Sequence, residues 1–130
     1  MKLLLDTHVW LWSLLDPQRL SVLAAKALGN PSNQLWLSPL SSWEAAMLAA
    51  RGRIHLLPDP VSWLRQALQR VPMETAALTH EVAWRSAYLE KFHVSDPVDR
   101  FLAASCLTYN LTLVTADRGL HSYPQIETIW

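Results

Sequence analysis

The sequence predicts a single α/β domain, residues 1–130, built on a central and mostly parallel sheet. Three observations carry this expectation. A length of 130 residues fits one hydrophobic core. Leu3-Leu4-Leu5 is a continuous apolar run, the pattern of a strand buried on both faces rather than one facing water. Helix-compatible sequence separates this run from the next apolar run, and the alternation recurs along the chain, which favours parallel pairing through helical crossovers.

The first strand ends in Asp6, at the carboxyl end of a strand, where open α/β sheets bind ligands. Thr7 is placed to cap a short helix from His8 to Leu15, which Asp16-Pro17 stops. A second helix runs from a Ser21 cap to Leu28, with Gly29 or Asn30 closing it. After the polar turn Pro31-Ser32-Asn33, Leu35-Trp36-Leu37-Ser38 is the next strand, ended by Pro39. Ser41-Ser42-Trp43-Glu44 then reads as a Ser-x-x-Glu capping box opening a third helix to Arg51-Gly52.

The middle of the chain holds no nameable chemistry. Ile54-His55-Leu56-Leu57 is expected to be extended, Asp59-Pro60 to cap a helix through about Arg70, and Val71-Pro72-Met73 to form a core strand. A helix over about Thr79 to Glu90 follows. Asp96-Pro97-Val98-Asp99 then opens a strongly apolar helix reaching about Tyr109. Asp96 is its N-cap, Pro97 stands at the first helical position, Asp99 is the third residue of a capping box, and Asn110 is the terminator. Leu111-Thr112-Leu113-Val114-Thr115 is a strand that delivers Asp117 two residues past its end, and Ile126 to Trp130 closes the chain as a last strand.

Composition narrows the function classes. Half of the residues are apolar and only 3 are glycine, which excludes a disordered chain. The 7 tryptophans belong in the core or on partner-facing surface. The single cysteine, Cys106, lies in an Ala-Ala-Ser-Cys-Leu helical run as a small buried residue, so no disulfide within the chain forms and a reducing cytoplasm is expected. The N-terminal apolar run is too short for a membrane span. Eleven basic residues balance 11 acidic ones, so no global basic field marks a nucleic-acid binder. If Asp6, Glu44, Asp99 and Asp117 form one cluster, the remaining surface is basic by four, which suits a polyanion.

Those four acids each stand at the mouth of an apolar segment. Parallel strands interleaved with helices place all strand carboxyl ends on one rim, so the four can converge although they are far apart in sequence. Convergent carboxylates raise one another's pKa, and a hard divalent cation with oxygen ligands relieves the repulsion. No Cys/His spacing suggests zinc, which favours Mg²⁺ or Mn²⁺. Such a centre suits phosphodiester hydrolysis by a metal-activated water and needs no protein nucleophile. Thr7, Ser42 and Thr115 carry hydroxyls close to the acids, placed to orient carboxylates or waters, and the same residues also fit as helix caps or strand positions.

Together, Leu3-Leu4-Leu5-Asp6-Thr7-His8, Ser41-Ser42-Trp43-Glu44, Asp96 to Ala104 and Leu113-Val114-Thr115-Ala116-Asp117 resemble the PIN-domain family, specifically the VapC-type toxins of prokaryotic toxin–antitoxin pairs. The resemblance covers nearly the whole chain in order and spacing. It implies a three-layer α/β/α PIN-like fold with four to five strands. It also implies an endoribonuclease in which Asp6, Glu44, Asp99 and Asp117 are the catalytic, Mg²⁺-binding acids, Mn²⁺ being an alternative. Thr115 supports them, and Asp96, also common in the family, is kept as a cap and an outer partner. Relatives often carry a His two residues before the Asp-Pro, whereas His93 here lies three before it. The family further implies a homodimer and a VapB-type antitoxin whose C-terminal segment packs along the early helices and reaches the acidic site. Trp10, Leu11, Trp12 and Leu14 are the candidates for that apolar groove, and equally for core. Of Arg51, Arg53, Arg100 and Arg118, each close behind an acid-bearing segment, Arg100 and Arg118 are the better placed to meet RNA phosphates.

Other functions fit less well. A receiver-like phosphoacceptor domain wants an adjacent acidic pair after the first strand, and a haloacid-dehalogenase-type phosphatase wants Asp-x-Asp there, where His8 stands instead. A catalytically silent PIN-fold binding module is the stronger rival, and four intact acids argue against it.

Overall fold

The computed structural model describes residues 1–130. Five strands, β1 (Lys2–Leu5), β2 (Gln34–Leu37), β3 (Glu74–Thr75), β4 (Thr112–Val114) and β5 (Thr128–Ile129), form one sheet in the order β3-β2-β1-β4-β5. Every neighbouring pair is parallel. The helices are α1 (Thr7–Leu15), α2 (Val22–Gly29), α3 (Pro39–Ala50), α4 (Pro60–Arg70), α5 (His80–Ala87), α6 (Pro97–Tyr109) and α7 (Arg118–His121), with a 3-10 turn over Pro17–Arg19.

β1 explains the layering. Successive strand side chains point to opposite faces. Leu4 therefore packs in one core, with Leu102, Ala103, Val82 and Leu113, while Leu3 and Leu5 pack in the other, with Val9, Trp10, Ala45 and Leu64. All three leucines are buried, so helices cover both faces of the sheet, as the unbroken apolar run requires.

Strand order fixes where a site can form. β1 is central; the chain leaves it toward β2 and β3, and returns on its other side as β4 and β5. The sense of progression thus switches between β1 and β4, and the crevice at the carboxyl ends of those two strands is the favoured ligand position of such sheets.

Several boundaries differ from the sequence reading. α3 begins at Pro39, capped by the Ser38 hydroxyl accepting from Leu40 N–H, so Ser41 and Glu44 lie inside the helix and form no capping box. Asp6, rather than Thr7, occupies the cap position of α1, and its side chain does not cap. The third strand is Glu74–Thr75 rather than Val71-Pro72-Met73. It is an exposed edge strand held by backbone pairing to Trp36 and Leu37, so apolar content could not locate it. Residues 54–57 are irregular, α5 ends at Ala87, and α7 is an additional short helix. The caps expected at Ser21 and Asp96 are present, and Asn110 closes α6 in the left-handed conformation.

Candidate active site

Asp6 extends β1 by one hydrogen bond, its N–H donating to Val114 O at 3.0 Å. That bond holds the backbone at the strand end, and the carboxylate is directed by Thr115, Oδ2 accepting from Thr115 Oγ1 at 2.6 Å. The buried Thr115 hydroxyl in turn accepts from the Asp117 N–H at 3.1 Å, so one hydroxyl ties the ends of β1 and β4 together. Asp117 caps α7, its Oδ1 accepting from Leu120 N–H at 3.0 Å. A Cβ at Gly119 would lie 3.1 Å from that same Oδ1 and 3.1 Å from Val94, which accounts for glycine there.

Glu44 reaches the same rim from the second turn of α3. Its carboxylate accepts from Thr7 Oγ1, and the Thr7 hydroxyl shares a further hydrogen bond of 2.9 Å with Ser41 Oγ. Thr7 and Ser41 are fully buried, so α1 and α3 are joined behind Glu44 by a dry hydroxyl pair. Asp99 arrives from the first turn of α6. Asp96 does the capping alone, accepting from Val98 and Asp99 N–H at 2.8 and 3.3 Å, which leaves the Asp99 carboxylate free to face the rim.

Electrostatics shows the convergence. Burial pushes Asp99 up to about 7, and the charges of Asp96, Asp6, Asp117 and Glu44 all add to the rise. Asp6 is raised by burial against the lowering pull of the Thr115 hydroxyl, with Asp117 adding to the rise. Glu44 is raised by burial against the Thr7 hydroxyl, with Asp6 and Asp96 adding. The charge of His8 works the other way at both Asp6 and Glu44.

No three His, Cys, Asp or Glu side chains close to the spacing of metal ligands. The chemistry of the donor set still fits a hard divalent cation. The donors are all oxygen, and the carboxylates repel one another at half-buried positions without a compensating ion pair.

The PIN-domain family model matches residues 3–125. The chain belongs to the PIN-domain family. It is 36% identical over 129 residues to Ribonuclease VapC22 of Mycobacterium tuberculosis strain ATCC 25618 / H37Rv, covering 98% of this chain and 97% of that protein. Among solved structures it is similar to VapBC2 from Rickettsia felis bound to a DNA fragment from their promoter (TM-score 0.74, 16% identity, covering 99% and 98% of the two chains). It is also similar to a toxin–antitoxin complex from Klebsiella pneumoniae (TM-score 0.65, 20% identity, 98% and 95%) and to FitAcB from Neisseria gonorrhoeae (TM-score 0.65, 18% identity, 98% and 96%). The family and the three-layer fold are thus those the motifs implied.

Within this PIN domain some residues stand where the sequence reading put them and others do not. Asp6, Glu44, Asp99 and Asp117 share one rim, with Thr7 and Thr115 bonded to two of them. Ser42 does not contribute; the neighbouring Ser41 holds that position. Arg100 is not available to RNA. Its guanidinium donates to the carbonyls of Ser86 (2.9 Å), Val94 (3.1 Å), Phe92 (3.4 Å) and Ala87 (3.4 Å) and lies over the Phe92 ring, stapling the segment before α6 to that helix. Arg118 is exposed beside Asp117.

Trp10 and Leu11 are core residues, buried in the layer under β1, and cannot line a surface groove. Trp12 is half-buried against Trp130 with Arg19 over its ring, and Leu14 is also half-buried. The exposed apolar side chains of the early helices are instead Leu15, Val22 and Leu23. Their signal is the surplus of apolar residues over one inward stripe on α1 and α2. Ser41 passes from expected capping-box residue to partner of Thr7, and His8, two residues past Asp6, joins the site through its charge at Asp6 and Glu44.

Proposed function

We propose that this PIN domain is a metal-dependent endoribonuclease, the toxin of a VapBC-type toxin–antitoxin pair, which hydrolyses RNA phosphodiester bonds. The observation that carries the proposal is the convergence of Asp6, Glu44, Asp99 and Asp117 at the β1/β4 switch point, where burial and, after it, the charges of neighbouring acids raise Asp99 to about 7. A cluster under that tension is built to receive a cation. The 36% identity to a ribonuclease of the VapC type over the whole chain supports the substrate class.

In this reading Asp6, Glu44, Asp99 and Asp117 hold Mg²⁺, with Mn²⁺ as a substitute. With a cation held there, the site would gain a water of lowered pKa and a positive charge to offset that on the leaving oxygen. Thr115 fixes the rotamer of Asp6, and Thr7 with Ser41 fixes Glu44, so the donors keep their directions. Asp96 holds the start of α6 and thereby the place of Asp99. Arg118, exposed at the rim, is placed to meet a backbone phosphate. No protein side chain acts as a nucleophile.

The partners follow from the same similarity. Structural relatives are toxin–antitoxin complexes, and this chain leaves Leu15, Val22 and Leu23 exposed on the early helices, where Trp12 and Leu14 are half-buried. We assign that face to a VapB-type antitoxin and expect the toxin to be a homodimer. No helix is long and apolar enough to cross a membrane.

The decisive experiment incubates purified protein with structured and single-stranded RNAs in Mg²⁺ or EDTA, alongside Asp6→Asn and Asp99→Asn. Cleavage only by wild type and only with Mg²⁺ is expected; cleavage that survives EDTA or both substitutions overturns the mechanism. Growth arrest on expression, relieved by a co-expressed antitoxin, tests the toxin role separately.

A further inference from the structure

A cleft between α3 and α6 opens beside the acidic rim and is not used by the hydrolysis itself. It has a volume of about 530 Å³, and Glu44 and Asp96 in its wall make it continuous with the acidic rim. Leu40, Trp43, Met47 and Phe101 supply its apolar lining. Trp43 is 53% exposed, although it belongs to a helix whose inward face is otherwise well covered.

That exposure is tied to the site. Ser41 and Ala45 are fully buried and Glu44 is held by Thr7, which fixes the rotation of α3 about its axis. Turning Trp43 into the core would carry Glu44 out of the cluster. The indole is therefore presented at a constant offset from a site carboxylate. Arg51, seven residues beyond Glu44 and also in the cleft wall, lies about 10 Å further along the helix direction.

The geometry points to this cleft as a pocket for one unpaired RNA nucleobase next to the scissile phosphate, with Trp43 as the stacking face and Arg51 beside a neighbouring backbone phosphate. Every base has a π face, so an aromatic platform binds bases with little sequence demand. A base inside a duplex has both faces covered and cannot enter unless it is turned out of the stack. Trp43 thus acts as a specificity residue that holds one unpaired base, rather than as a catalytic one. This inference rests on the ribonuclease reading for its substrate.

The test uses binding, which does not depend on cleavage. A short labelled single-stranded RNA, and a series in which each base in turn is replaced by an abasic site, is titrated with wild type, Trp43→Phe and Trp43→Ala in EDTA at low salt. Removal of one particular base is expected to weaken wild-type binding by about 5- to 150-fold. Trp43→Ala should bind the intact RNA correspondingly less well and be indifferent to that base, while Trp43→Phe keeps most of the effect. The inference is overturned if no single base matters more than the others, or if Trp43→Ala binds RNA as wild type does. It is equally overturned if Trp43→Ala changes the protomer number in solution or antitoxin affinity while RNA affinity stays constant, because the cleft then seats protein. Cleavage of the unmodified RNA in Mg²⁺ is scored in parallel; a base effect without cleavage removes the nuclease reading and leaves the pocket standing.

Discussion

The two sides of the acidic rim are built on opposite principles. On the sheet side, Asp6 is locked by the Thr115 hydroxyl at 2.6 Å, and that hydroxyl also receives the Asp117 N–H, so strand ends and carboxylates form one hydrogen-bonded unit. On the α6 side, Asp99 is pushed up to about 7 by burial and by four neighbouring acids, and no hydrogen bond opposes the rise. One side supplies rigidity and the other stores electrostatic tension that a cation can release. Placement on that side comes from the backbone instead, through the Asp96 cap and the Arg100 staple.

The largest expected effect comes from breaking the tense side. Asp99→Asn should lower Mg²⁺-dependent RNA cleavage by more than about a hundredfold, beyond the loss usual for an outer-shell partner, measured as initial rate on a fixed RNA. The same substitution should raise the melting temperature of the metal-free protein at pH 8, because it removes repulsion; a lowered melting temperature would show that Asp99 is not under tension. Breaking the rigid side should cost less. Thr115→Val is expected to reduce activity or Mg²⁺ affinity about 10- to 100-fold, with Thr115→Ser restoring most of it.

Arg100→Ala tests whether the α6 side is held by its staple. Loss of hydrogen bonds to a charged group should destabilise the fold by about 1.5–3 kcal/mol in urea unfolding. The salt dependence of RNA binding should not change; a phosphate-contacting arginine would behave oppositely, reducing the salt slope by about 0.7 with no loss of stability.

The most graded expected effect is the pH dependence. Asp99 has its pKa raised from 3.8 to about 7, so between those values the folded state holds more protons than the unfolded one. Stability of the metal-free protein is therefore greatest toward the acidic end and is lost as pH rises through about 7, and the upward shifts of Asp6 and Glu44 act in the same direction. Mg²⁺ should reverse this trend, stabilising most above pH 7, and Asp99→Asn should flatten it. Thermal melts from pH 5 to 8 with and without Mg²⁺ check both statements.

Much of this was legible from residues that act locally. Leu3-Leu4-Leu5 had to be a doubly buried strand because no face of it offers a polar side chain, and Asp96, Ser21 and Asn110 had to start or end helices because capping depends on the nearest few backbone groups. The common rim of Asp6, Glu44, Asp99 and Asp117 followed from a rule of connection, since parallel strands with helical returns leave their carboxyl ends together. Tertiary structure alone decided what depended on neighbours distant in the chain. α1 is apolar nearly all round, so its sequence carries no stripe to say that Trp10 and Leu11 face the core while Leu15 faces water. Arg100 looks like any basic residue beside an acid until the carbonyls of residues 86–94 fold around it. Glu74–Thr75 became a strand only because β2 offered it an edge, and Thr7 passed from helix cap to partner of Glu44 because α3 brought that carboxylate within reach.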